Sequence, residues 1–427
     1  MFSNRNPVAS TRRYAWAVVL MLWFISVFNY ADRQALSAVL PLLEDKETGM
    51  GLSLTEQGQL GSAFAWVYGL AAPFAGMVVD RIARKTAILG GLQVWSIICV
   101  ATAFSRKFRQ LYWFRALEGL GETFYYPAST SLISDYHAKA TRSRALGFHQ
   151  TSVYVGTIAG SYFAGLIGMH YGWRWSFVVF GILGSLLGIV LFFFLKEAPR
   201  GASETSEEAV LSKDLSLAQA FPIVVKNPVV LLLMLAFVCA NFVAMVLLTW
   251  MPSYLFKNFN LKLDVAGLGA TLFASSASMI SCPLGGWLAD RLRMRTARGR
   301  ILVQAFGVFA GAPFVFLCGQ TQSFAWLVVA LIGWGFFKGM YDANIFASLF
   351  DVVPPNARGT LAGLMNMFGW LCGGAVAPVV VGILAESRGL GPVISAAAFV
   401  YLAAGCLLLV GSRLLLSTHK MPARPLG

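Results

Sequence analysis

Charged side chains are scarce in this chain of 427 residues. They make up 12% of it, with 19 acidic against 33 basic residues, while 57% of the chain is apolar. Soluble proteins carry roughly 25% charged residues, so this composition excludes an ordinary water-soluble domain. The six cysteines form no Cys-x-x-Cys pair and the four histidines are dispersed. With no nucleophile motif or phosphate-binding loop either, the sequence predicts neither an enzyme nor a metal or cofactor site.

Long apolar runs dominate what is present. A helix needs about 20 mainly apolar residues to cross the hydrocarbon core of a bilayer. Runs of this length and continuity exclude barrel strands, so the sequence predicts an all-α polytopic membrane protein. The twelve stretches are 14–41, 55–79, 84–104, 110–136, 143–169, 174–196, 227–255, 264–289, 300–319, 323–351, 358–386 and 391–413.

The excess positive charge is unevenly distributed between the two sides of these predicted helices. If the N-terminus is cytoplasmic, the inner loops and both termini hold 22 of the 33 Lys and Arg residues. Cytoplasmic loops carry such an excess, so we expect both termini to be cytoplasmic and the protein to lie in the cell (inner) membrane. The distribution of the net charge of +14 therefore predicts the lipid bilayer as partner, and not nucleic acid.

The chain repeats itself. Gly76-x-x-x-Asp80-Arg81 recurs as Gly286-x-x-x-Asp290-Arg291, 210 residues later. A shift of 216 residues pairs Asp135 with Asp351 and Arg142 with Arg358. The repeat predicts two pseudo-symmetric six-helix bundles, at 1–196 and 225–427. The polar residues 197–224 would form a cytoplasmic linker between them.

Two such bundles resemble the major facilitator superfamily, and Gly76-x-x-x-Asp80-Arg81-x-x-Arg84-Lys85 resembles its loop signature. The resemblance implies a monomer that works by alternating access, with the substrate near the bilayer midplane between the halves. It also implies a set of gating residues at the cytoplasmic ends of the helices. These are Asp80, Arg81, Arg84, Arg142, Asp290, Arg291 and Arg358.

Ionisable residues inside the predicted helices are few and clustered. Such residues are costly in a membrane and normally face a partner or a water-filled cavity. Arg115 and Glu122 are seven residues apart, which places them within about 20° of one helix face. The 216-residue shift maps Glu122 onto Lys338, so the two halves would present opposite charges. The members are Asp32, Arg33, Arg115, Glu118, Glu122, Lys338 and Asp342.

These charges have two interpretations. A buried carboxylate takes up a proton more easily when an anion neutralises its arginine neighbour, which couples proton to anion movement. Alternatively, Asp32–Arg33 and Arg115–Glu122 are structural ion pairs. Lys338 and Asp342, four residues apart, fit a structural or gating pair. Glu122 and Lys338 would form either an interdomain ion pair or a site for an ionic substrate.

Several motifs resemble the anion:cation symporter family of sugar-acid and organic-anion carriers. They are Asn29-Tyr30-x-Asp32-Arg33, Phe64-Ala65-Trp66-x-Tyr68, Arg115-x-x-x-Gly119-x-x-Glu122 and Thr249-Trp250-x-Pro252. The resemblance implies proton coupling through Asp32 and Glu122. It implies anion binding by Arg115 with Arg33, and hydroxyl donors at Tyr30 and Tyr68. We add Lys338 to the substrate-binding set.

Gly119-Leu120-Gly121-Glu122 and Ser131-Leu132-Ile133-Ser134-Asp135-Tyr136 also resemble the Spinster-like lipid transporters. The sequence therefore predicts proton-coupled symport of a small organic anion, a sugar acid or another carboxylate. The alternative is a proton-linked lysolipid or sphingolipid transporter of the Spinster-like type. A channel or a nutrient sensor is a further class, disfavoured by the duplicated gating motif and by the short segment after the last helix.

Overall fold

The computed structural model describes residues 12–79, 81–137, 139–199, 217–354 and 357–418. This part of the chain is almost wholly helical and contains no strand, which confirms the all-α prediction. Asp80 and most of the predicted linker lie outside the described residues, so the boundaries at 197–224 stay a prediction. The helices are α1 (Arg12–Glu44), α2 (Leu54–Val79), α3 (Arg84–Ala103), α4 (Phe108–Thr123), α5 (Tyr125–Tyr136), α6 (Lys139–Tyr171), α7 (Trp173–Phe194), α8 (Leu217–Lys226), α9 (Pro228–Asn258), α10 (Leu263–Arg293), α11 (Gly299–Gln320), α12 (Phe324–Asp342), α13 (Ile345–Val352), α14 (Arg358–Phe368), α15 (Val376–Arg388) and α16 (Leu390–Thr418).

Eleven segments among the described residues are long and apolar enough to cross a membrane. The remaining predicted crossing, 110–136, is divided into α4 and α5, and neither helix reaches a crossing length alone. With that pair counted as one crossing, the helices follow the predicted twelve stretches. The first helix of the divided crossing carries Arg115, Glu118 and Glu122.

Two crossings are broken for identifiable reasons. A proline ring inside a helix clashes with the carbonyl four residues earlier, and Pro127 thereby ends α4 at Thr123. Between α12 and α13, the Asn344 side chain donates to the Met340 carbonyl at 3.0 Å. That carbonyl is the one a continuing helix would offer to the Asn344 amide, so the side chain interrupts the ladder.

The eleventh crossing contains a π-helix, Gly369–Gly374, between α14 and α15. Such wider turns are rare and often lie at functional sites. Here the turn presents Trp370 to the first half of the chain, with its ring centroid 5.1 Å from that of Tyr68. The irregular segment therefore forms part of the contact between the halves.

With twelve crossings, the start of α1, the end of α7, the start of α9 and the end of α16 lie on one face of the molecule, which we call the terminal face. The polar contacts between the halves lie in the part of each helix nearer the opposite, distal face. Gln34 Nε2 donates to the Leu248 carbonyl at 2.8 Å, the Thr55 amide donates to Glu386 Oε1 at 3.0 Å, and Lys257 forms an ion pair with Glu44. The halves are thus joined toward the distal face.

Close backbone packing accompanies these contacts. Gly58 of α2 lies against α15 so tightly that an added Cβ would come within 2.3 Å of the Pro378 carbonyl oxygen. Only glycine fits there, because the neighbouring atom belongs to the backbone and cannot rotate away. The α2–α15 contact therefore closes the distal face in this conformation.

Candidate functional site

A cavity of about 170 Å³ lies between the two halves. Both halves contribute to its wall, as expected for a binding site at the interface of the repeats. Its wall carries three cationic side chains and several hydroxyl groups, and the other lining side chains are mainly apolar. The lining residues that carry the argument below are Tyr30, Arg33, Gln34, Ser37, Phe64, Arg115, Tyr154, Thr157, Thr249, Ser275, Ser278, Lys338 and Trp370.

Arg33 occupies an aromatic cage on the first-half wall. Its guanidinium carbon lies 4.7 Å from the ring centroids of Tyr30 and Tyr68 and 4.8 Å from that of Phe64. Cations over aromatic faces are attracted by the ring quadrupole. Its Nε donates to Glu122 Oε2 at 2.5 Å, which fixes the remaining freedom of the side chain. The cage places Tyr30 in the cavity wall, with Tyr68 packed on the arginine behind it.

Arg115 is held by a different carboxylate from the one the sequence suggested. Its Nη1 forms an ion pair with Glu118, one turn further along α4. The side chain of Arg115 is only 3% exposed and that of Glu118 is fully buried. The two arginines of the first half that line the cavity therefore form the pairs Arg33–Glu122 and Arg115–Glu118. The alternative pairs Asp32–Arg33 and Arg115–Glu122 are not formed.

Asp32 faces away from the cavity, into the first bundle. The Cys99 thiol of α3 donates to Asp32 Oδ1 at 2.8 Å. Ligand atoms of Asp32, Cys99 and Glu118 all lie within 4.8 Å of one another, and all three residues are buried. Asp32 thus lies beside Glu118, the ion-pair partner of Arg115, and it does not line the cavity itself.

Lys338 lies on the opposite, second-half wall and lines the same cavity. It forms an ion pair with Asp342, one turn along α12. The two side chains are 22% and 26% exposed, so this pair is less buried than Arg33–Glu122 and Arg115–Glu118. The intrahelical pair agrees with the structural interpretation of the four-residue spacing, whereas the interdomain pair Glu122–Lys338 is not formed.

Sequence reasoning named Tyr30 but missed the other hydroxyl groups of the site. Ser275 and Ser278 of α10, Thr249 of α9 and Tyr154 of α6 all line the cavity. Polar groups of this kind orient a ligand in an otherwise apolar pocket. Serine and threonine occur widely in membrane helices, so no single-sequence signal separates these from packing residues. Their place opposite Arg33 and Arg115 follows only from the packing of the halves.

The predicted gating residues lie at the terminal face. Arg84 is buried there and forms ion pairs with Asp135 and Glu197, and its Nη2 donates to the Ala198 carbonyl at 2.6 Å. Arg142 donates to the His137 carbonyl at 3.3 Å. Arg81 is exposed, and Asp80 lies outside the described residues. These contacts join the ends of α3, α5 and α7 into one rigid face.

The second half repeats this arrangement with a residue that the sequence analysis overlooked. Arg300 forms ion pairs with Asp290 at 2.7 Å and with Asp351 at 2.8 Å. The 216-residue shift maps Arg84 onto Arg300, so the signal was present in the repeat. Arg358 donates to the Phe350 carbonyl at 3.2 Å, and Arg291 lies 5.5 Å from the ring of Trp287.

Comparison with known proteins supports this architecture. The chain is 27% identical over 380 residues to a hexuronate transporter of Bacillus subtilis, covering 87% of this chain and 88% of that one. It is 29% identical over 395 residues to the protein spinster of Drosophila melanogaster. That match covers 90% of this chain, which spans only 64% of the fly protein.

The fold superposes on the crystal structure of a bacterial homologue of the human lysosomal transporter Spinster, in an inward-facing and unoccupied conformation. The TM-score is 0.84 at 21% identity, covering 97% of this chain and 100% of that one. Residues 22–378 match the family description Major Facilitator Superfamily. The duplicated bundles, the cavity between them and this match together show that the chain is a membrane transporter and belongs to the Major Facilitator Superfamily.

Proposed function

We propose that the protein carries a small organic anion, a sugar acid or another carboxylate, together with protons by alternating access. The observation that carries this proposal is the state of the two first-half arginines. Arg33 and Arg115 line the cavity, and each is already paired with a carboxylate that is fully buried, Glu122 and Glu118. A substrate anion therefore competes with an internal anion for each arginine.

The burial of these carboxylates links substrate to proton. A carboxylate displaced from its arginine in a dry interior has no water to hydrate it, and an unpaired buried charge is strongly unfavourable. Taking up a proton removes that charge. Binding of a substrate carboxylate at Arg33 or Arg115 therefore favours protonation of Glu122 or Glu118, and release of the substrate restores the internal pair.

Asp32 completes the proton-coupling set. Three buried carboxyl groups in the first bundle, Asp32, Glu118 and Glu122, face two guanidinium groups, and Asp32 has the Cys99 thiol as its hydrogen-bond donor. A third negative charge among them would be uncompensated, so one proton resides on the cluster. We assign Asp32 and Glu122 as proton carriers and H⁺ as the coupling ion.

Because the distal face is closed, the orientation of the chain in the membrane determines to which side the cavity opens. With both termini in the cytoplasm of a cell (inner) membrane, as the loop charges favour, this conformation opens inward. We propose that the monomer is the transporting unit, since the cavity and both arginine pairs are built from one chain. The relative named as a hexuronate transporter supports a sugar acid as the substrate class.

The alternative cargo is a lysolipid, and one observation favours it. Met245, Leu248, Trp334 and Trp370 give the cavity a substantial apolar share that suits a hydrocarbon tail. The hydroxyl groups and the three cations favour the small anion, because a hydrocarbon tail makes no polar contact with them.

Uptake into proteoliposomes tests the proposal. Radiolabelled glucuronate is offered with and without an inward proton gradient, and lysophosphatidylcholine is offered in parallel. We expect gradient-driven glucuronate uptake that is lost in Arg115→Gln and kept in Arg109→Gln, at an exposed residue in the first turn of α4. Uptake of the lysolipid alone would overturn the anion assignment and support the alternative.

A further inference from the structure

The two walls of the cavity hold their cations in different surroundings. On the first-half wall, Arg115 is 3% exposed and its partner Glu118 is fully buried. On the second-half wall, Lys338 and its partner Asp342 are 22% and 26% exposed. One cavity therefore contains a buried anion site and a partly exposed anion site, one contributed by each half.

The partly exposed site can exchange its carboxylate without a proton. Ion pairs between partly exposed groups contribute little net free energy. Asp342 is 26% exposed and does not line the cavity, so it keeps its exposed surface when Lys338 turns to a ligand. A ligand carboxylate can therefore take its place at Lys338 at little cost, whereas exchange at Arg115 requires protonation of Glu118.

Among the described residues that line the cavity, Lys338 is the ionised group that the second half contributes. The same cavity is lined by neutral hydrogen-bonding groups, Ser275 and Ser278 of α10 and Tyr154 of α6. Hydroxyl groups in a cavity with a cation from each half match a polar chain that carries a charge at each end.

We propose that the substrate is a dianion, a short hydroxylated chain with a carboxylate at each end, bound by Arg115 on one wall and by Lys338 on the other. This inference rests on the proposed anion transport and specifies its substrate. A ligand with one carboxylate reaches a cation on one wall only. A dianion joins both halves, and so favours the approach of the two walls that occlusion requires.

The test compares two acids of the same six-carbon, hydroxylated chain, gluconate with one carboxylate and glucarate with two. Binding to the purified full-length protein is measured by calorimetry. We expect glucarate to bind about tenfold more tightly than gluconate, a difference of about 1.4 kcal/mol. In Lys338→Met that preference disappears while gluconate affinity stays within about twofold, and Lys338→Arg keeps most of the preference.

Asp342→Asn provides a second variant that does not depend on removing the lysine. It frees Lys338 from its internal partner, so glucarate binding strengthens while gluconate binding does not change. Lys262→Met, at an exposed residue remote from the cavity, serves as the matched control.

The outcomes separate the two proposals. Equal affinity for both acids in the wild-type protein, or a glucarate preference that survives in Lys338→Met, overturns the dianion assignment and leaves anion transport standing. Absence of binding by both acids, with stabilisation by lysolipid instead, overturns the proposed function itself.

Discussion

Arg33 and Glu122, on helices α1 and α4, are joined by one hydrogen bond of 2.5 Å between Nε and Oε2. The guanidinium is stacked among Tyr30, Phe64 and Tyr68, so it cannot follow Glu122 if the carboxylate moves. Glu122 has no exposed surface. Its charge in this position therefore depends on Arg33, and the arginine's availability to a ligand depends on the charge of Glu122.

Replacing Glu122 with Gln removes this exchangeable charge while keeping the size of the side chain. We expect the variant to exchange substrate across the membrane at a near-normal rate, because exchange needs no net proton movement. Accumulation driven by a proton gradient should fall by about tenfold or more, the loss of one coupled step. Counterflow and gradient-driven uptake in proteoliposomes measure the two separately. Glu47→Gln, in an exposed loop, is the control, and gradient-driven accumulation by Glu122→Gln at the wild-type level would contradict the assignment.

Glu118→Gln should strengthen substrate binding. In the wild-type protein a ligand carboxylate has to displace Glu118 from Arg115, whereas a neutral Gln does not compete. We expect roughly fivefold tighter binding of a sugar acid near pH 7.5, and a smaller gain near pH 5.5, where protons already assist the displacement. Calorimetric titration at both values measures this. Weaker binding at both would show that Glu118 positions Arg115 for the ligand and does not compete with it.

Arg84 is expected to be a stability residue of the first bundle. It is 2% exposed, and its removal leaves Asp135 and Glu197 without its charge at the terminal face. Breaking a buried pair in this way costs about 3–5 kcal/mol, so Arg84→Ala should lower the melting temperature by several degrees or more. Thermal unfolding in detergent followed by tryptophan fluorescence measures it. Arg291→Ala, at an exposed residue, should change little, and equal effects of the two variants would refute the expectation.

Gly58→Ala should prevent closure of the distal face. The added Cβ would lie 2.3 Å from the Pro378 carbonyl oxygen, and backbone atoms cannot give way without separating α2 from α15. Spin labels at Lys46 and Arg388, exposed on the distal face of either half, should therefore report a longer distance than in the wild type.

Gly90→Ala is the matched control for this experiment, since a Cβ at that position would meet nothing within 4 Å. An unchanged distance distribution in Gly58→Ala would mean that the α2–α15 contact does not determine which face is closed.

The helices and their duplication were predictable because both produce patterns in the sequence itself, of hydropathy and of repeated motifs. Hydropathy located the crossings, the loop signature located Arg84, and the repeat located Asp135 together with its counterpart Asp351. The partners of Arg33 and Arg115 were not predictable from one sequence. Helical spacing shows that Arg115, Glu118 and Glu122 share a face, but the rotation of α4 against α1 decides which carboxylate meets which arginine.

The breaks illustrate the same limit. Pro127 was visible in the sequence, and its effect on the fourth crossing follows from the proline ring. The interruption at Asn344 depends on a side chain that turns back onto its own helix, and also donates to the Gly285 carbonyl at 3.2 Å. That second contact needs the neighbouring helix α10, so local sequence alone does not reveal it.

The internal repeat also records how the two halves have changed since a common ancestral bundle was doubled. Arg84 with Asp135 and Arg300 with Asp351 are equivalent pairs that both copies still form. Inside the cavity the copies have separated, since Glu122 in one corresponds to Lys338 in the other. The two copies thus share the ion pairs that hold their own helices together, and they differ in charge at this equivalent position, where Lys338 lines the cavity and Glu122 is buried behind Arg33.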